Sequence, residues 1–339
     1  MAEKTYVYVG AMAAIHGQGG VWRKEAGADQ WEDLSSNGLP PVPEGQHIAI
    51  HPTEPEWVYV GTQRGLYKST DRGDHFKRAS LLEGRIVFCV AFRPDDPRIM
   101  YLGTNGNEVF RSEDTGDTWK YMSIIEDPDQ VEMPFPVRIL WMDMEPSNPD
   151  IMYAAMEVGG VARSVDAGKN WKLINNGLVG ADLLDVHAVA VGSTKSDAVF
   201  IANRKGIFRS RDRGDHWENM HLEQFSPIYY SRGVRVAPDD PNTVYSCISP
   251  DVHSEQGGVM RSRDLGETWE RFDHGVDPRS APFGLTINRR HPEQAYFCTF
   301  GEGPQRGQLF GTHDGGITWT EHPLPEHAWD VIGLACVSV

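Results

Sequence analysis

The stretch Ser210-Arg211-Asp212-Arg213-Gly214-Asp215-His216-Trp217 constrains this chain more than any other feature. Its Ser or Thr, Asp, Gly and aromatic return in fixed order at 69–76, 112–119, 164–171, 262–269 and 312–319. Each copy stands between short β-rich runs, as Gly206-Ile207-Phe208-Arg209 precedes the copy at 210, which is the setting of a hairpin turn. The residue types suit a turn. A carboxylate accepts hydrogen bonds from backbone N–H groups two or three residues on, Gly takes positive φ without a Cβ clash, and the indole covers the hairpin with an apolar face. The Asp residues of these copies are therefore expected to fold the chain and to catalyse nothing.

A repeat that runs through all 339 residues predicts one closed array, a single domain over 1–339. Around each copy the sequence supplies four strands, A to D. Strand A reads as His47-Ile48-Ala49-Ile50 or Ala188-Val189-Ala190-Val191, and strand B as Val58-Tyr59-Val60-Gly61 or Val244-Tyr245-Ser246-Cys247, ending on a small residue. Turns rich in Pro and Asp, such as Pro94-Asp95-Asp96-Pro97, join them. The first repeat lacks a strand A, while the apolar run at 331–337 has no blade of its own. The expectation is an all-β, seven-bladed β-propeller with the C-terminal strand pairing with the N-terminal blade to close the ring.

The S-x-D-x-G-x-T-W pattern resembles the Asp-box, or BNR, repeat of sialidase-like and sortilin-like propellers, and the resemblance covers nearly the whole chain. It implies the propeller fold. Because such propellers include glycosidases, assembly factors and receptors, the resemblance leaves function to the site. A sialidase proper would bring an Arg-Ile-Pro motif, whereas Arg85-Ile86-Val87 and Arg138-Ile139-Leu140 lack the Pro, and six blades would be expected. The two-propeller pattern of xyloglucanases is absent too, since one ring is read here.

Lys and Arg total 32 against 48 Asp and Glu, so the net charge of −16 repels nucleic-acid phosphates and anionic membrane surfaces. No apolar signal core and no membrane-spanning run is read, which gives the expectation of a cytoplasmic monomer. Cys89, Cys247, Cys298 and Cys336 fall inside strands without C-x-x-C spacing, as buried free thiols do.

The insertions at 11–19, 124–137, 249–256 and 301–306 all belong to the face formed by D-to-A and B-to-C loops, where a rigid scaffold usually carries its site. On that face His47 and His187 come at similar depth at or before strand A, and His16 and His253 sit on long B-to-C loops. Converging imidazoles do acid–base work or hold a divalent metal, for which His47, His187 and His253 are the candidate ligands. Arg85, Arg138 and Arg232 precede or begin strands A, and Arg64, Arg204 and Arg306 lie in B-to-C loops, together an anion trap on an acidic protein. By contrast, Arg111, Arg163, Arg209 and Arg261 each precede a box Ser, which reads as structural. Glu157, Glu302, Glu108, Asp185, Asp251 and Asp330 are acid–base candidates with Tyr229 and Tyr230, and paired carboxylates suit glycoside hydrolysis. Trp329, Trp141, Phe135 and Phe283 are candidates for stacking on a ring. The reading is an enzyme, a hydrolase or lyase acting on a small polar, anionic or sugar-like substrate. The alternative is a non-catalytic binding or assembly propeller.

Overall fold

The boxes fold as turns in the computed structural model, which describes residues 3–13, 19–79, 82–127, 137–192, 198–301 and 306–339. The Ser210 hydroxyl donates to Asp212 at 2.8 Å and accepts the buried N–H of Gly214 at 2.7 Å. Asp212 accepts the exposed N–H of His216 at 2.9 Å and pairs with its ring at 2.6 Å. The same hydroxyl-to-carboxylate and Gly-amide bonds recur at Ser69, Ser112, Ser164, Ser262 and Thr312. The carboxylate thus reaches four residues on, not the two or three expected from sequence, and the buried amide is satisfied by the hydroxyl. Successive left-handed residues make room for this, Arg213 at φ 60° followed by Gly214 at φ 90°. At Leu265 the non-glycine member's own N–H bonds the A-to-B turn of the same blade, meeting Asn242 O at 2.9 Å.

Seven four-stranded antiparallel sheets form the blades, each with its strands in the order A-B-C-D. Blade one takes strand A from the C-terminal end: Asp330–Ser338 pairs with Thr5–Met12, from Thr5 opposite Ser338 to Met12 opposite Asp330. This is the closure expected from the missing strand. The pairing satisfies an edge on each strand.

Contacts divide the chain into two compact units. Unit one, Met1–Val87 with His253–Gly258 and Phe272–Val339, holds blades one, two and seven; unit two, Phe88–Val252 with Val259–Arg271, holds blades three to six. Inside each unit, arginines that precede box positions latch neighbouring blades. Arg23 donates to Arg72 O at 2.7 Å in unit one, and Arg209 to Leu265 O at 2.6 Å in unit two, each carbonyl belonging to a left-handed box residue. The four cysteines are free and buried, and burial pushes the Cys89 and Cys336 thiols up to about 12.

Blade five shows how the core is shared and where its regularity breaks. In its strand B, Val199–Asn203, Val199 and Ile201 pack toward blade four while Phe200 and Ala202 pack toward blade six, the period of two that a strand dictates. Its strand A, Val186–Val191, alternates likewise from Ala188 onward, yet Val186 lies on the same side as Val189. The step is a β-bulge at His187, where the register jumps between Val186 and Ala188. The equivalent shift leaves out Leu140 in blade four, Arg232 in blade six and Phe283 in blade seven. Bulges re-aim side chains, and two of these carry chemistry.

Candidate functional site

At the end of unit two opposite the boxes, three consecutive blades bring their strand ends together. Blade four contributes Arg138, first residue of strand A (Arg138–Glu145), and Glu157, last of strand B (Asn148–Glu157), which pair directly in register. Blade five contributes Asp185, which follows a short helix (Ala181–Leu184), the bulged His187, and Arg204 after strand B. Blade six contributes Tyr230 and the bulged Arg232 from strand A (Tyr230–Val236).

The floor of the cluster is buried. Glu157, Asp185 and His187 are 5%, 6% and 4% exposed, and Tyr230 is buried beside them with its ring 5.4 Å from that of His187. Arg204, Lys205 and Tyr229 are exposed at the rim, with Asp182 half-buried between them. Glu157 forms an ion pair with Arg138 through Oε2, and Arg232 lies 3.6 Å from its Oε1. Asp185 Oδ2 accepts from Arg204 Nε at 2.8 Å, and its Oδ1 lies 3.3 Å from His187 Nε2. His187 Nδ1 donates to the carbonyl of Ser231 at 2.8 Å, fixing the ring across blades five and six.

Charge follows this geometry. Burial works to raise the Asp185 carboxyl, but the His187 imidazole beside it, with Arg232 and Arg204 behind, outweighs burial and brings it down to about 2. Burial pushes the Tyr230 phenol up against the pull of Arg232, which donates to its oxygen at 3.3 Å, so the hydroxyl keeps its proton at neutral pH. Two carboxylates, an imidazole, a protonated phenol and three guanidiniums therefore meet within one unit. Such a centre can accept a proton, donate one, and hold an anionic or hydroxyl-bearing ligand.

Of the residues singled out from sequence, Glu157, His187, Tyr230, Arg138 and Arg232 come together here, with Asp185 and Arg204. His47, His253, Arg64, Arg85, Arg306 and Trp329 lie in unit one. There Arg64 and His253 are exposed, Arg85 donates to Glu83 O at 3.3 Å, and Arg306 bonds the carbonyls of Pro325 and Ala328 beside the Trp329 ring. His16, Glu302 and Phe135 lie outside the described residues. The expected equivalence of His47 and His187 does not hold. His47 stands opposite Gly61, the place that Ala188 takes opposite Ala202, so His47 is one residue out of step with His187. The metal set expected from histidines alone is also revised. The one group of His, Cys, Asp and Glu among the described residues close enough to share an ion is Glu157, Asp185 and His187, with facing atoms all within 4.8 Å of one another.

Comparison with known proteins follows the repeat. The Sortilin-Vps10 family model, described as sortilin or neurotensin receptor 3, matches residues 159–299. A xyloglucanase of a Paenibacillus species is 26% identical over 295 residues, covering 71% of this chain and 27% of the relative. A probable oligoxyloglucan-reducing end-specific xyloglucanase of Neosartorya fischeri is 24% identical over 346 residues, covering 86% and 41%. The chain thus spans only about a quarter to two fifths of these relatives' length, 27% and 41%. Among solved structures, the GH74 xyloglucanase of Xanthomonas campestris superposes with a TM-score of 0.65 at 17% identity, over 97% of this chain and 53% of that one. What these likenesses show of the chain itself is its fold: a seven-bladed propeller of Asp-box repeats, similar to glycoside hydrolases of sugars and to the sortilin family.

Proposed function

We propose that the chain is a hydrolase acting on a saccharide-like substrate, with the Glu157, Asp185 and His187 centre as its reacting floor and Arg138, Arg204 and Arg232 holding anionic or hydroxyl groups of the ligand. The observation that carries this reading is the convergence of two buried carboxylates and an imidazole within 4.8 Å, beneath a rim of Arg204, Lys205 and Tyr229. The names of the curated relatives support hydrolysis over elimination.

Asp185, held ionised by its partners, accepts a proton and does not donate one; the Tyr230 hydroxyl is the buried group beside it that keeps a proton to give. The carboxylate oxygens are closer than the roughly 6.5–9.5 Å that separates an inverting pair of glycosidase carboxyl groups with water between them. The spacing is nearer the roughly 5–5.5 Å of a retaining pair, in which one carboxylate attacks the sugar and a water then releases it, with the arginines setting substrate position.

The test is release of reducing ends from xyloglucan oligosaccharides, from neutral β-glucans and from uronate oligomers. Turnover of at least one class is expected, lost in a folded Glu157→Gln variant and weakened in Arg204→Ala through KM, most for the acidic oligomers. No turnover of any class, with an unstructured peptide bound instead, would move the chain to the binding or assembly reading.

A further inference from the structure

The geometry points to a site for one divalent transition-metal ion formed by Glu157, Asp185 and His187. Asp185 and His187 are each held from outside through one atom and turn another inward, and Glu157 lies beside them with its Oε1 3.6 Å from Arg232. Glu157 is held through Oε2 by Arg138, Asp185 through Oδ2 by Arg204 at 2.8 Å, and His187 through Nδ1 by the Ser231 carbonyl at 2.8 Å. That is the arrangement of outer partners that orients metal-binding side chains.

The inward atoms are the unusual ones. His187 Nε2 and Asp185 Oδ1 are sealed from water, lie 3.3 Å apart and have no hydrogen bond, although both residues are more than nine-tenths buried. A carbonyl can only accept, so Nδ1 carries a proton and Nε2 is the ring nitrogen turned to the carboxylate oxygen. A cation lying against both buried atoms would satisfy them together. Ligands about 2.1 Å from an ion and adjacent in its shell are spaced about 3.0–3.4 Å, which the 3.3 Å separation fits. The β-bulge at His187 sends its ring into the cluster. One imidazole with two carboxylates suits Zn²⁺ or Mn²⁺ better than Ca²⁺ or Mg²⁺, which take oxygen ligands almost alone. The surrounding guanidiniums weaken the pull on a cation, and they equally favour hydroxide or an anionic substrate oxygen in its open positions.

This inference rests on the same cluster as the proposed hydrolase but not on its activity, and its readout is binding. Protein stripped with a chelator and dialysed is titrated with Zn²⁺ and, separately, Mn²⁺ by calorimetry, and its metal content is measured after gel filtration. One equivalent of at least one ion per chain is expected. His187→Ala and Glu157→Gln should abolish binding, Arg204→Gln should weaken it by roughly 10–100-fold, and His253→Ala, which removes an exposed histidine of unit one, should leave it unchanged. Should His187→Ala fail to fold, the near-isosteric Asp185→Asn takes its place. A folded wild-type chain that binds neither ion at micromolar concentration, or equal binding by the ligand variants, overturns the site. Binding without turnover of any glycan keeps the site and sinks the hydrolase, and turnover indifferent to chelation does the opposite.

Discussion

Blades four to six carry buried polar groups at both ends, and the two ends are built on different terms. At the box end, Ser210, Asp212 and Gly214 satisfy one another over four residues of chain, and the arrangement recurs in every described copy. At the other end, Glu157, Asp185, His187 and Arg232 come from three blades and occur once. A polar group repeated with the fold serves the fold; one that appears in a single place, buried and facing another of its kind, is where a ligand is to be sought. A third place sharpens the contrast. His322 in unit one also has a buried Nε2 without a hydrogen bond, but its Nδ1 accepts from Lys24 at 3.4 Å and its Nε2 faces Gly311. Burial and the Lys24 charge bring that imidazole down to about 4, and among the described residues His322 belongs to no group of carboxylates, histidines or cysteines close enough to share an ion.

The largest effect is expected at the cluster. Glu157→Ala leaves the Arg138 and Arg232 charges without their buried partner, and should cost about 3–5 kcal/mol in denaturant unfolding as well as activity. A variant that loses activity at unchanged stability would show that Glu157 is not a counter-ion but purely a reacting group. Next comes the box hydroxyl. Ser210→Ala strips the buried Gly214 amide of its acceptor and should cost about 1–3 kcal/mol, with kcat/KM per folded molecule unchanged. Lost activity there would erase the distinction between the two ends.

Asp212→Ala should cost less than Ser210→Ala, since the amide it frees, that of His216, is already exposed and turns to water. The box carboxylates titrate together in acid. Hydrogen bonds from His216 and from Thr318 bring Asp212 and Asp314 down to about 2, and at Asp71 the bonds from Ser69 and His75 do so against burial. Their folded values lie below the unfolded one near 3.8, so their contribution is complete above pH 4 and is lost as pH falls toward 2. Melting curves recorded from pH 5 to 2 should show this loss, diminished in Asp212→Ala. A flat profile would mean that the boxes are held by their hydroxyls alone. The smallest effect is expected at His322: His322→Gln should leave Zn²⁺ and Mn²⁺ titrations unchanged, and weakened binding would show that a buried orphan nitrogen suffices without carboxylates.

How far the site could be read from sequence is visible in single residues. Glu157, His187, Tyr230, Arg138 and Arg232 were legible as candidates because the repeat assigns every loop to one end of its blade. Their grouping was not, since a loop's end says nothing of which blades sit side by side or how deep a side chain reaches. His47 and His187 show the limit. They look equivalent along the chain, but a bulge inserts His187 between Val186 and Ala188, and no residue type in Asp185-Val186-His187-Ala188 announces it. The box misreading was smaller: the Asp and the turn were right, while the role of the hydroxyl waited for the turn's left-handed backbone.

By itself the sequence determined the blade count, the turn at each box, the order of strands and the closing pair of Asp330–Ser338 with Thr5–Met12. These follow from local bonds spanning a few residues and from a period of two, both written directly in residue order. Only the tertiary structure decided that Glu157, Asp185 and His187 are buried side by side and that two of their polar atoms face each other at 3.3 Å without a hydrogen bond. The physical reason is that such a grouping is made by register shifts and by packing between blades, interactions whose partners lie 28 and 44 residues apart and which no local pattern encodes.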